Sequence, residues 1–191
     1  FISLVGYTNA GKSTLFNLLT NENVLVKNKL FATLDITMRK WKLLNNNFVI
    51  LSDTVGFISN LPTELIESFK TTLNEINFSD YILHIIDISN PEWEKQKKIV
   101  ENILLSILKN NFNENNIMEV WNKTDLLNNN ELSYFKNAVK RKKNTILFSS
   151  KLKQGEGNLI NLVKNKIKKD KKFLLFNFSR STNSKKIKTL L

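Results

Sequence analysis

One short stretch near the start of the chain, Gly6-Tyr7-Thr8-Asn9-Ala10-Gly11-Lys12-Ser13, constrains the architecture more than any other. An apolar run from Phe1 to Val5 precedes it and helix-forming Thr14 to Leu19 follows it, so the spacing GxxxxGK[ST] sits between a predicted strand and a predicted helix. In that setting consecutive backbone amides and the positive helix end converge on phosphate oxygens. Gly6 and Gly11 permit backbone conformations and a close approach that a Cβ would block. Lys12 is expected to bridge the outer phosphates, and the Ser13 hydroxyl to hold Mg²⁺.

At 191 residues the chain can bury one good core, so one main domain is expected. No apolar run approaches the roughly 20 residues needed to cross a bilayer, and a soluble chain with no membrane partner is expected. Cysteine is absent, which excludes disulfides and cysteine-ligated metal. The chain opens at Phe1 in what reads as mid-strand, so an upstream segment is expected. The net charge is +12, and it is polarised: residues 1–135 carry 12 basic and 15 acidic side chains, residues 136–191 carry 17 and 2. Lys140 to Lys143, Lys151, Lys153 and the lysines beyond could form one surface that attracts nucleic-acid phosphate, or a solvated lysine face. The asparagine runs Asn45 to Asn47 and Asn128 to Asn130 read as polar loop filler.

Short apolar runs alternate with amphipathic segments, the pattern of βα units around a largely parallel sheet, and an α/β domain follows. The polar stretch Asn21 to Asp35 is long for a connection and contains Phe31-Ala32-Thr33-Leu34-Asp35. Met38 to Leu44 and Phe48 to Ser52 read as a β-hairpin. A helix is expected from Pro62, burying Leu65, Ile66, Phe69, Leu73 and Ile76. Tyr81 to Asp87 reads as a central parallel strand, and its His84 as a packed side chain rather than a catalyst, since no nucleophile motif accompanies it. A helix through Trp93 to Leu108, a strand Ile117 to Trp121, a helix Leu132 to Val139, a strand Thr145 to Phe148 and a helix after Gly157 complete the series.

Three further boxes fall at predicted strand ends. Asp53-Thr54-Val55-Gly56 follows a hydrophobic strand about 40 residues after the phosphate loop, where Asp53 can orient a Mg²⁺ shell and Gly56 can offer its amide to a γ-phosphate. Asn122-Lys123-Thr124-Asp125 follows the strand Ile117 to Trp121. Its Asp can accept two hydrogens from guanine's ring NH and exocyclic amine, a donor pair adenine lacks, while Asn122 ties the loop to the phosphate loop and the Lys123 stem lies along the base. Ser149-Ser150-Lys151 ends the last strand, where a backbone amide could reach the base carbonyl. GTP or GDP is therefore the expected ligand.

Taken together, GYTNAGKSTLFN, LFATLD, LSDTVGFI with the following Leu61-Pro62, NKTD and SSK resemble the G domain of the HflX family of ribosome-associated translational GTPases. The resemblance covers residues 1 to about 170. It implies a P-loop NTPase fold of the Ras-like type, a mostly parallel sheet with helices on both faces, over residues 1–170, with residues 171–191 as the start of a further domain. An amino-terminal domain and a connecting helix would precede it. The resemblance also implies phosphates on Gly6 to Ser13, Mg²⁺ on Ser13 and Thr33, first-switch contacts from Phe31 to Asp35, a γ-phosphate sensor at Asp53 to Gly56, and the base on Asn122 to Asp125 and Ser149 to Lys151. Lys12, Thr33, Gly56 and Asn9 would carry catalysis. Two departures stand out: Ile36 replaces the proline usual after LD, and Ser150 replaces a common alanine, a change expected to matter little.

The implied reaction is GTP and water giving GDP and phosphate, catalysed by positioning and charge stabilisation. Directly after DTVG, where some GTPases carry a water-orienting glutamine, stands Phe57, which neither donates nor accepts a hydrogen bond. Unaided turnover is expected at about 10⁻³ per second or below. Asn9 stands where similar GTPases place an asparagine that helps hold K⁺, and a ribosomal partner could instead order the switches. The expected partner is the large ribosomal subunit through its rRNA, engaged by a monomer in the bacterial cytoplasm or an organelle matrix. A competing reading is a GTP-dependent module that recruits a protein, with incidental hydrolysis and no ribosomal role. An ATP-using kinase fails on NKTD.

Overall fold

The computed structural model describes residues 1–21, 37–43, 47–53, 75–108 and 114–169. Phe31 to Asp35, Thr54 to Gly56, Phe57, most of the helix expected from Pro62 and everything after residue 169 lie outside the described residues.

Six strands form one sheet in the order β2-β3-β1-β4-β5-β6. They are β1 (Ile2–Gly6), β2 (Thr37–Lys42), β3 (Phe48–Asp53), β4 (Tyr81–Asp87), β5 (Ile117–Asn122) and β6 (Thr145–Leu147). All neighbours pair in parallel except β2 with β3, which form the expected hairpin. β1 and β4 are buried at nearly every position, so no period-2 pattern is visible in them. A strand covered on both faces needs that continuous apolar content.

The chain leaves β1 toward β3 on one side and reaches β4 on the other, which makes the carboxyl ends of β1 and β4 the switch point of the sheet. Ligands of open α/β sheets bind there. Helix α1 (Lys12–Thr20) follows β1 directly and buries Leu15, Phe16 and Leu19. Helices α2 (Trp93–Ile107) and α3 (Asn129–Lys140) follow β4 and β5. Two apolar clusters form beneath them: Val5, Ile76, Ile82, Val100, Leu104 and Leu108, and separately Ile86, Ile88, Trp121 and Phe135. Ile76, expected on a helix, sits in a short 3-10 turn (Glu75–Phe78) and is fully buried.

A polar seam runs between the clusters. Burial works against the charge of Glu119, but Lys97 at 2.6 Å and the Trp121 indole NH at 2.8 Å hold its carboxyl below the usual range. His84, opposite Glu119 in the β4–β5 register, is buried, and burial pushes its pKa down to about 4 against the pull of Glu119. It is a packed histidine, as its place in an apolar strand implies.

Helix α3 begins earlier than the apolar pattern suggests. Asn128 caps it: its side chain accepts from the Asn130 and Glu131 amides, and Glu131 accepts from the Asn128 amide. The Asn128 to Asn130 run is thus a capping box and a first turn rather than filler. The basic residues also divide. Lys140 to Lys143 precede β6, and Lys151 and Lys153 follow it, so within this unit they lie at opposite ends of that strand.

The chain forms two compact units, Phe1–Glu156 and Gly157–Leu191. The first holds the sheet and every sequence box. Of the second, residues 157–169 are described and are helical, continuing a helix that begins at residue 156. The domain boundary expected after residue 170 falls outside the described residues. No described helix is long and apolar enough to cross a membrane.

Candidate nucleotide-binding site

The loop after β1 takes its shape from two glycines that its neighbours require. A Cβ on Gly6 would stand 2.3 Å from the Ile85 carbonyl oxygen on β4, so β1 and β4 close up at the switch point only without a side chain there. Gly11 has φ +98°, and a Cβ on it would meet the Asn122 amide nitrogen at 2.3 Å. Between them Thr8 and Asn9 turn, Asn9 at φ 62°, a left-handed conformation asparagine tolerates, and the buried Ala10 donates its amide to the Tyr7 carbonyl at 3.2 Å.

Helix α1 starts at Lys12 with no side-chain cap and no acidic residue in its first turn. Its amino end therefore presents partial positive charge without a protein counter-charge in that turn. The Lys12 ammonium is buried and donates to the carbonyls of Gly6 at 3.3 Å and Tyr7 at 3.2 Å. Burial pushes its pKa down to about 8, and Asp53 opposes that shift. A buried ammonium held by two neutral, long hydrogen bonds is poorly compensated, and an anion bound in the loop would supply the missing charge.

Asp53, at the end of β3 and fully buried, accepts from the Ser13 hydroxyl at 2.6 Å. The serine proton is thus turned toward the carboxylate, leaving its oxygen lone pairs for a hard cation. Among the described residues no group of three or more acidic, histidine or cysteine side chains could hold a metal alone. That donor set fits Mg²⁺, which characteristically takes one or two protein oxygens plus substrate phosphates and waters.

The base-binding loops are held by reciprocal contacts. Asn122, at the end of β5, donates to the Ala10 carbonyl at 2.9 Å and accepts from the Ser150 amide and hydroxyl, each at 3.1 Å. One side chain therefore ties together the phosphate loop, the NKTD loop and the SSK loop. The Ser150 amide makes its own contact, and the hydroxyl that replaces alanine's methyl adds a third hydrogen bond to the Asn122 side chain. Thr124 bonds the Phe148 carbonyl through both its amide, at 3.2 Å, and its hydroxyl, at 3.0 Å. The Asp125 carboxylate accepts from the Ser149 hydroxyl at 2.6 Å, which fixes one oxygen. The Ser149 amide is committed to the Gln154 carbonyl at 3.0 Å, and Ser150's to Asn122. Of the three SSK amides, that of Lys151 has no protein acceptor among the described residues.

Two functional contacts escaped the sequence reading. Lys123, in the left-handed region at φ 64°, pairs with Asp87 at 2.7 Å, and the other Asp87 oxygen accepts from the Ser89 amide at 3.1 Å and hydroxyl at 2.6 Å. Asp87 ends β4 directly opposite Asn122 in register. An Asp followed two residues later by Ser at the end of a central strand was the available signal, an Asx-type turn that aims the carboxylate. Of the residues expected from sequence, Gly6 to Ser13, Asp53, Asn122 to Asp125 and Ser149 to Lys151 all lie at the carboxyl ends of β1, β3, β5 and β6. Phe31, Ala32, Thr33, Leu34, Asp35, Thr54, Val55 and Gly56 are outside the described residues.

With that geometry in place, comparison with known proteins is specific. Residues 1–123 match the family model described as 50S ribosome-binding GTPase. The chain is 49% identical over 126 residues to the GTPase HflX of Magnetococcus marinus, covering 66% of this chain and 28% of that protein. A chloroplastic GTP-binding protein of Arabidopsis thaliana is 46% identical over 124 residues, 65% of this chain and 20% of that one. The chain thus spans under a third of the length of these curated relatives. Among solved structures, a GTP-binding protein from Sulfolobus solfataricus in complex with GDP superposes with a TM-score of 0.62 at 25% identity, covering 86% of this chain and 51% of that one. The chain belongs to the 50S ribosome-binding GTPase family, and its first unit is a Ras-like P-loop GTPase domain of the HflX type.

Proposed function

We propose that the chain binds GTP with Mg²⁺, hydrolyses it slowly to GDP and phosphate, and changes partner affinity with the nucleotide it holds. The observation that carries this reading is the Asn122 clamp. It locks a phosphate loop with an under-compensated buried lysine to a loop whose Asp125 carboxylate is held by the Ser149 hydroxyl. The Asp125 oxygens would take guanine's ring NH and amine, with the Lys151 amide available for the base carbonyl. Lys12 and the α1 amides would hold the β- and γ-phosphates, and Thr33 and Gly56 would complete the γ-phosphate contacts. Ser13 and Thr33 would ligate Mg²⁺ with Asp53 behind it. Mg²⁺ so held would neutralise charge developing on the phosphates. Asn9, exposed at the turn, would add K⁺ near the same oxygens.

Two readings of the switch follow. The family description supports engagement of the large ribosomal subunit, and the reading takes the chain as a monomer acting in the cytoplasm or, as the chloroplastic relative suggests, an organelle matrix. Phe57 after DTVG favours the other, a recruiting module whose GTP state binds a protein while hydrolysis is incidental. The site supports nucleotide switching under both. GTP turnover with and without purified large subunits, in K⁺ and in Na⁺, separates them. A tenfold or greater rise with subunits supports the ribosomal reading. Unchanged turnover leaves the recruiting module, and equal rates in the two salts remove the cation role of Asn9.

A further inference from the structure

The β2–β3 hairpin carries a feature that nucleotide binding does not use. Side chains alternate along β2, and with Trp41 buried, Met38, Lys40 and Lys42 share the opposite, exposed face. In the antiparallel register Lys42 lies opposite Phe48 and Lys40 opposite Ile50, so this face continues onto β3. Phe48 is 55% exposed, and the Lys40 ammonium stands 5.0 Å from its ring centroid. Residues 37–52 contain no acidic side chain, and β2 is the outermost strand of the sheet.

We infer that this face binds single-stranded nucleic acid, with a base stacked on Phe48 and successive phosphates met by Lys40 and Lys42. A sheet face that combines an exposed aromatic ring with cations, on a hairpin whose own described residues include no acidic side chain short of Asp53, is the surface such strands take, because every base offers a π-face and every linkage a charge. Lysines two apart on one face of a strand are spaced by about 6.8 Å, comparable to the phosphate repeat of an extended single strand. An acidic peptide would satisfy the lysines but would leave the aromatic ring without a matching partner. The inference deepens the ribosomal reading above by naming the face that would meet RNA.

The test is fluorescence anisotropy of a labelled 12-nucleotide oligouridine RNA with the 191-residue chain across a salt series. Lys40→Glu with Lys42→Glu should weaken binding at least tenfold and lower the salt slope by about 1.4. Phe48→Ala should weaken it at least fivefold, and Phe48→Leu, which keeps apolar volume on the strand, should do the same. Lys142→Glu with Lys143→Glu, in the basic run after α3, should change it less than twofold. GDP affinity should be unaffected in the hairpin variants, which reports that they fold. The inference is overturned if the parent chain binds no RNA, if Phe48→Leu binds as tightly as the parent, if the Lys142 and Lys143 reversals are as damaging, or if polyglutamate of equal charge displaces the RNA. Ribosome-stimulated turnover is read separately: RNA binding through this face without stimulation sinks the ribosomal reading alone, and stimulation that survives the hairpin variants sinks this one alone.

Discussion

The Asn122 side-chain nitrogen occupies the space that a Cβ on Gly11 would need, 2.3 Å from its ideal position, while it donates to the carbonyl of neighbouring Ala10. Gly11→Ala therefore adds a clash with the clamp to a backbone at φ +98°, which alone costs about 1–2 kcal/mol in a residue with a Cβ. We expect GDP affinity to fall at least a hundredfold and the melting temperature to drop by several degrees, read by calorimetric titration and scanning calorimetry.

Asn122→Ala acts on the same clamp without the backbone strain. It strips the Ala10 carbonyl of its side-chain donor and the Ser150 amide and hydroxyl of their acceptor. Each buried group left unsatisfied costs about 1–3 kcal/mol. Urea unfolding should show a loss of about 2–4 kcal/mol, and Ser150→Ala, which removes only the hydroxyl contact, about 1 kcal/mol or less.

Asp125→Asn should change the base rather than the fold. The amide still receives the Ser149 hydroxyl but cannot accept both guanine hydrogens, and it can donate to a carbonyl at the same ring position. GDP affinity should fall by about a hundredfold or more while xanthosine diphosphate gains. Competition binding of the two nucleotides measures the ratio.

Asp87→Asn weakens the hold on Lys123, an ion pair whose lysine is about a third exposed, so stability should change by less than about 1 kcal/mol. GDP affinity should fall about threefold to tenfold as the lysine stem loses its fixed position, a split between binding and stability that stopped-flow nucleotide release and urea unfolding read together.

His84 sets a pH dependence. Its folded pKa is about 4 against 6.5 unfolded, with burial the main cause and Glu119, Lys97 and Lys12 the surrounding charges. Above pH 6.5 the group is neutral in both states and contributes nothing. As pH falls below 6.5 the unfolded chain takes up a proton that the folded chain refuses, so stability is lost, on the order of 2 kcal/mol by pH 5, until the folded form titrates near pH 4. Urea unfolding of the parent and of His84→Gln at pH 7.5 and 5 should show that the parent alone loses this amount.

The sequence made the sheet legible where local signals agree with the fold. The continuous apolar run of β4 and the two strand-like runs on either side of Asn45 to Asn47 are each readable without neighbours. The phosphate loop and NKTD were legible because their chemistry needs fixed residue types at fixed spacing. What was not legible depends on register. Asp87 becomes a partner of Lys123 only once β4 and β5 are paired, and the Ser150 hydroxyl matters only once Asn122 is turned toward it. The start of α3 was different, since Asn128 and Glu131 already have capping-box spacing; apolar periodicity, which begins at Leu132, drew the boundary too late.

The loops after β1, β5 and β6 are proposed to form one guanine nucleotide site. Calorimetric titration of the chain with GDP and with ADP in Mg²⁺ buffer tests it most directly. The account predicts micromolar or tighter binding of GDP and at least hundredfold weaker binding of ADP, with both lost on Gly11→Ala. Equal affinity for the two nucleotides, or GDP binding that survives Gly11→Ala unchanged, would contradict it.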